Sequence, residues 1–184
     1  MKRVGRDVVT TAICVTAVLG VGGALTSIGP WYQSLRTPRW QPPGWAFGPA
    51  WTTIGTLTGI AAVWSWRRAE TRPQRRRLMT LFALNGSLNI LWSALFFKFR
   101  RPDLALVETV PLWLSILALM LGLPRGRNST LLSALTTWLL LPYLVWVTIA
   151  SQLNRAVVRL NPPFSGQSIS GASASGTALR GPVS

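Results

Sequence analysis

A chain of 184 residues that is 49% apolar and only 12% charged, with a mean hydropathy of +0.34, is too apolar for an ordinary soluble domain. Its 19 lysines and arginines against 4 acids give a net charge of +15, but no nucleic-acid-reading motif accompanies them. One cysteine, Cys14, and no histidine exclude an internal disulfide and leave neither the usual zinc ligands nor a histidine-ligated haem.

The basic residues fall between uncharged runs at 8–35, 40–66, 78–97, 109–124 and 128–154. A bilayer core about 30 Å thick asks for about 20 mainly apolar residues per helix. The run at 109–124 reaches that length when it starts near Leu104 and carries Glu108 in its first turns, and the others have it as they stand. The expected fold is an all-α integral membrane protein, a bundle of five transmembrane helices at about 8–28, 45–66, 78–97, 104–123 and 129–153. They form one domain over residues 1–161, and the polar segment 162–184 reads as a disordered tail.

The first helix is rich in Gly, Ala and Thr, residues that let helix backbones approach closely, and Cys14 in its middle reads as a packing residue. Its opening also has the basic start and apolar core of a signal peptide, but the uncharged run is longer than a usual signal core. The loop that follows contains PWYQSLRTPRWQPPG, in which Pro38, Pro42 and Pro43 deny a continuous helix and stiffen the chain. In the second helix Trp51, Gly55 and Gly59 share a face, and GTLTG is a GxxxG pattern that most often means close helix packing, within the bundle or in a dimer. The densest basic cluster, Arg67, Arg68, Arg72, Arg75, Arg76 and Arg77, is expected in the loop after it, against anionic head groups.

In the third helix Asn85, Asn89, Trp92 and Ser93 recur at helical spacing. Two amides on a bilayer-spanning face either glue the bundle by interhelical hydrogen bonds or form a polar patch in a ligand cavity. Glu108 is the one acid in a spanning run, and its place near the loop favours an interfacial carboxylate. Pro124, Gly126 and Asn128 mark the next turn. In the last helix Trp138, Pro142, Trp146 and Ala150 follow one another at intervals of four, so a proline kink is expected beside two indoles. Both indoles flank the middle of the run, which favours a cavity over an interfacial belt.

No Ser/His/Asp or Cys/His arrangement, acid pair or phosphate-binding glycine loop occurs, so no catalytic residue and no metal site is assigned. Indole faces, a few amides and a basic loop suit a large, flat, apolar ligand carrying carboxylates.

The segments WYQSLRTPRWQPPGWAFGPAW, LNILWSALFF and LPYLVWVTIASQLN, in this order and spacing, resemble the tryptophan-rich sensory protein family, which includes the translocator proteins. The resemblance covers about residues 8–161 and implies a five-helix bundle, often a homodimer, that binds porphyrins such as protoporphyrin IX and haem, and in some members benzodiazepine-type ligands and cholesterol. No resident cofactor is implied. Carried over by position, Trp51 and Trp146 become pocket indoles, Asn85 and Asn89 the polar wall, and Ala150 a small residue affecting ligand fit; Tyr32 and the loop from Trp40 to Trp45 form a lid, and Trp92 is a further ligand-binding residue. The end of the last helix, ASQLNRAVVRLN, lacks the tyrosine of the animal sterol motif, and Leu104 stands where some relatives have an aromatic pocket residue.

The implied function is porphyrin sensing, transport or stress regulation in a membrane. Alternatives are light- and oxygen-dependent degradation of bound porphyrin, with Trp146 taking part, and a scaffold that recruits a membrane partner through its GxxxG face. Placing the N-terminus, the 67–77 cluster and Arg125/Arg127 together collects 11 basic residues against 8 opposite, which puts the N-terminus in the cytoplasm. The short basic loop and absent organelle targeting suggest a bacterial plasma membrane.

Overall fold

The computed structural model describes residues 5–123 and 130–163, with side chains of the last segment described from residue 134. The turn expected at Pro124, Gly126 and Asn128 and the tail from residue 164 lie outside the described residues. In chain order the helices are α1 (Arg6–Leu25), the short α2 (Pro30–Ser34), α3 (Phe47–Arg68), α4 (Arg72–Ser93), α5 (Pro102–Gly122), α6 (Thr130–Trp138) and α7 (Leu141–Leu160). No strand occurs among the described residues, so the all-α membrane architecture expected from composition is the one observed.

Among the described residues four stretches are long and apolar enough to cross a membrane: Arg6–Leu25, Arg72–Lys98, Pro102–Gly122 and Ala134–Leu160. At 22 residues, α3 is as long as α4. Rich in Gly, Thr and Trp, it is not one of those four stretches, yet it packs against α1, α4, α6 and α7 as the fifth rod of the bundle.

The helix ends depart from the expected boundaries: α1 stops at Leu25 rather than residue 28, α3 continues to Arg68 rather than 66, and α7 runs to Leu160 rather than 153. None of the six clustered arginines lies in a loop: Arg67 and Arg68 form the last turn of α3, and Arg72, Arg75, Arg76 and Arg77 form the first turns of α4, which starts six residues earlier than the uncharged run. A capping box explains this start: Thr71 Oγ1 accepts from the Gln74 N–H at 3.3 Å, and the Thr71 N–H donates to Gln74 Oε1 at 3.2 Å. In addition, the last rod is broken rather than kinked. The break falls at Leu139–Leu140, and Pro142 sits in the first turn of α7, where its missing N–H costs no helical bond.

The packed core lies between α3, α4, α5 and α7. Along α5 the residues Ala105, Leu112, Ile116 and Leu119 recur at intervals of seven, four and three, so they share a face, and they are buried against Phe96, Tyr143, Val147 and Leu140. With lipid tails as apolar as leucine, it is this close packing that holds such a core together. The GxxxG glycines serve contact inside the bundle. A Cβ on Gly55 would lie 2.5 Å from Leu19 Cδ1 and 3.3 Å from Val15 Cγ1, and one on Gly59 would lie 3.6 Å from Val15 Cγ2, so the face is filled by α1. The same packing makes α1 a member of the bundle.

At the other end of α4 the helix passes into a π-helical turn, Ala94–Lys98, in which the Phe99 N–H donates to the Ala94 carbonyl at 2.9 Å. This turn drives Phe96 into the core, where Trp92 stacks on it at 5.2 Å and Trp31 meets it edge-on at 6.1 Å. The loop from α2 to α3 is thereby anchored at one end. Asn161, just past α7, holds it at another point: the Arg36 N–H donates to Asn161 Oδ1 at 2.9 Å and Asn161 Nδ2 donates to the Arg36 carbonyl at 2.8 Å.

Candidate ligand cavity

A cavity of about 810 Å³ lies between α1, α3 and α4 and is closed at one point by Tyr143 of α7. It runs along α3 from Trp51 to Trp66, which is about 22 Å at 1.5 Å per residue. Trp51 reaches it because the 3₁₀ turn Gly44–Ala46 leads straight into α3, with Pro49 tolerated in the first turn. Asn85 and Asn89 reach it from one face of α4, a single turn apart.

The polar wall is internally bonded. Asn85 Nδ2 donates to Ser115 Oγ at 2.8 Å, and that hydroxyl donates to the Leu112 carbonyl at 2.7 Å. Asn89 Nδ2 donates to the Tyr143 hydroxyl at 3.1 Å, and the Tyr143 ring meets Trp51 edge-on at 6.3 Å. These bonds fix the amides before any ligand arrives. Beside this wall Gly22 lets α1 come close to α4: it is buried, and a Cβ there would lie 3.7 Å from Ser93 Oγ and 3.9 Å from Asn89 Oδ1. Thr58 adds a cavity-lining residue whose hydroxyl has no hydrogen-bond partner among the described residues. At the far end Arg6 and Asp7 line the cavity, with Asp7 paired to Arg67 at 2.5 Å.

Of the residues singled out in the sequence, the structure thus brings Trp51, Asn85 and Asn89 together. Trp92 lies on the flank of α4, stacked on Phe96. Tyr32 sits 5.7 Å from Phe97 and accepts from Gln41 Nε2 at 3.3 Å. Trp146 meets Phe47 edge-on at 5.6 Å, and Ala150 lies half-buried one turn further along α7. Trp40 borders a second, smaller cavity, and Trp45 is 78% exposed. None of these six lines the main cavity. Trp138 is exposed as well, so the two indoles flanking Pro142 do not frame a cavity.

Two further expectations change. Cys14 is exposed on the cavity wall, since α1 turns that face to open space rather than to a neighbouring helix. Glu108 is buried at 6% exposure on the inward face of α5 between Ala105 and Leu112, and neither of its oxygens has a hydrogen-bond partner among the described residues. It is a core carboxyl, not an interfacial one. Sequence reasoning also passed over Tyr143. The signal was present: Tyr143 and Val147 are four apart and both buried, one residue round the helix from the tryptophan stripe that drew attention.

Residues 10–160, which carry every helix except the first turn of α1, match the model of the TspO/MBR family. The chain belongs to the TspO/MBR family. It is 35% identical over 166 residues to the tryptophan-rich protein TspO of Chlorobaculum tepidum, covering 85% of this chain and 99% of that protein. The tryptophan-rich sensory protein of Cereibacter sphaeroides is 33% identical over 76% of this chain and 82% of its own length. The translocator protein of Sus scrofa is 31% identical over 82% of this chain and 89% of its own length. Family membership and the apolar helices together make this TspO/MBR chain a multi-pass integral membrane protein.

Proposed function

We propose that the cavity binds a tetrapyrrole, protoporphyrin IX or haem, and that the protein acts in porphyrin sensing, transport or stress regulation with no resident cofactor. The observation that carries this reading is the cavity of about 810 Å³, whose lining joins the Trp51 indole to the prefixed amides of Asn85 and Asn89. Its size falls within the roughly 300–1,000 Å³ of small-molecule sites, and its few polar groups are the kind that orient a mostly apolar ligand. The names of the relatives, sensory protein and translocator protein, agree with such a role.

The test is quenching of tryptophan fluorescence in detergent-purified protein by protoporphyrin IX. Saturable quenching that weakens in Trp51→Phe and in Asn89→Ala, with both variants still folded, is the expected result. Affinity unchanged in both variants would defeat the assignment. Benzodiazepine-type ligands and homodimer formation belong to the same reading and are checked by competition and by sedimentation. So does the placement of the N-terminus in the cytoplasm of a bacterial plasma membrane, which cysteine accessibility at either edge reports.

The alternatives draw less from the geometry. Trp146, the indole assigned to porphyrin degradation, packs against Phe47 and is not part of the cavity lining. The GxxxG face that would recruit a membrane partner is covered by Val15 and Leu19 of α1.

A further inference from the structure

A second cavity, of about 450 Å³, stands apart from the first, between the loop before α3 and the last turns of α7. Pro38 and Trp40 form its loop side, and Gln152, Arg155, Ala156, Arg159 and Leu160 its helix side. Arg155 and Arg159 are four residues apart, so their side chains lie one above the other on the same face of α7. Neither guanidinium has a hydrogen-bond or ion-pair partner among the described residues. Two free guanidiniums beside an apolar wall leave a specific demand for negative charge.

The surrounding edge sharpens that demand. Asn154 places the end of α7 beside the start of α5, its amide within 3.0 Å of the Pro102 carbonyl and the Leu106 N–H. The same edge therefore carries Arg36, Arg39, Lys98, Arg100 and Arg101, while its one acid, Asp103, is already bound to Arg101 at 2.6 Å. The walls are also held in place. The paired hydrogen bonds between Asn161 and the Arg36 backbone tie the loop to α7, which fixes Trp40 opposite the two arginines.

We propose that this cavity is a binding site for an anionic phospholipid. Its phosphate bridges the Arg155 and Arg159 guanidiniums, in the charge-assisted geometry arginine favours, and the glycerol and upper acyl segments lie against Trp40, Pro38, Ala156 and Leu160. A phospholipid fits better than a dissolved anion because half of the lining is apolar and continues the surface of a span-length helix. Arginine stems and an indole at the end of such a helix lie at head-group depth. Bound there, the lipid pins the loop to α7 at a point distinct from the Asn161 clamp. The site is independent of the tetrapyrrole reading and shares no residue with the main cavity.

The experiment is native mass spectrometry of the full chain released from micelles containing equimolar phosphatidylglycerol and phosphatidylcholine. The expected result is retention of one phosphatidylglycerol per chain, weakened about thirtyfold in Arg155→Gln/Arg159→Gln, from the attraction per basic residue taken twice. Trp40→Ala is expected to weaken it too, since the apolar wall is part of the site. Arg72→Gln/Arg76→Gln removes the same charge, at the same one-turn spacing, from the opposite edge and is expected to leave retention unchanged. Equal loss in the two arginine pairs would reduce the effect to net charge and overturn the site. So would retention of phosphatidylcholine to the same extent, or displacement of the lipid by inorganic phosphate at equal concentration, which would assign the arginines to a free anion. Unchanged melting of each variant in detergent ties any loss to the site itself.

Discussion

On α5, Ala105, Ile116 and Leu119 have no exposed surface, whereas along the 20 residues of α1 only Gly22 is buried. These two helices are similar in length and hydropathy, so composition does not account for the difference. Packing does: α5 is wedged between α4 and α7, while α1 touches α3 and α4 along a seam and leaves the cavity on their shared side. The protein places its rigidity on one side of the bundle. The α5 side supplies a fixed wall that holds Asn85 and Tyr143 in position, and α1 completes the enclosure without filling it.

The largest effect separates the two sides directly. Leu119→Ala opens a void in the α5 core and is expected to destabilise by about 2–5 kcal/mol. Ile13→Ala, on the exposed face of α1, is expected to stay within about 0.5 kcal/mol. Thermal melts in one detergent measure both, and equal costs would break the comparison. A step smaller is Gly55→Leu, which forces side-chain atoms into Leu19 and Val15 and should cost about 1–3 kcal/mol by overpacking. Because the displaced helix is also the outer wall of the cavity, protoporphyrin quenching should become unsaturable in the same variant. Loss of stability with intact binding would mean that α1 does not close the site.

Much of this asymmetry was legible in the sequence and part of it was not. The all-α membrane class, the buried amide pair of α4 and the glycine face of α3 all follow from run length and spacing, because they depend on periods within one element. The start of α4 was missed for a local reason: four arginines hid a capping box that lies entirely in Thr71 and Gln74. The tryptophans of α7 misled for a different one. Spacing places Trp138 and Trp146 on one face, but only tertiary packing decides which face turns inward, and that choice fell to Tyr143 and Val147. Trp92 likewise shares a period with Asn89 yet is drawn aside by Phe96, whose position depends on the π-helical turn. A one-residue insertion of that kind leaves no period to read.

Glu108 tests whether the tightly packed side contains only structure. A buried carboxyl without partners costs stability, so Glu108→Leu, which keeps most of the volume, should raise it by about 0.5–2 kcal/mol. The same melts would show it. A fall instead of a rise would mean that the carboxyl meets a partner in the membrane, and would make the inward face of α5 a second chemical site rather than a wall.

The smallest expected effect lies where the two sides meet, at the hydrogen bond from Asn89 Nδ2 to the Tyr143 hydroxyl. A double-mutant cycle of Asn89→Ala and Tyr143→Phe isolates the pair, and buried polar contacts between membrane helices average about 0.6 kcal/mol. A coupling near that value leaves each single variant folded, which is what makes Asn89 usable as a probe of ligand binding. If the coupling is that small and Asn89→Ala still weakens protoporphyrin quenching strongly, the amide acts on the ligand and not through the fold. A coupling several times larger would instead mark the bond as a main tie between α4 and α7, and any loss of binding in Asn89→Ala would then follow from displacement of the wall that carries Trp51's neighbour.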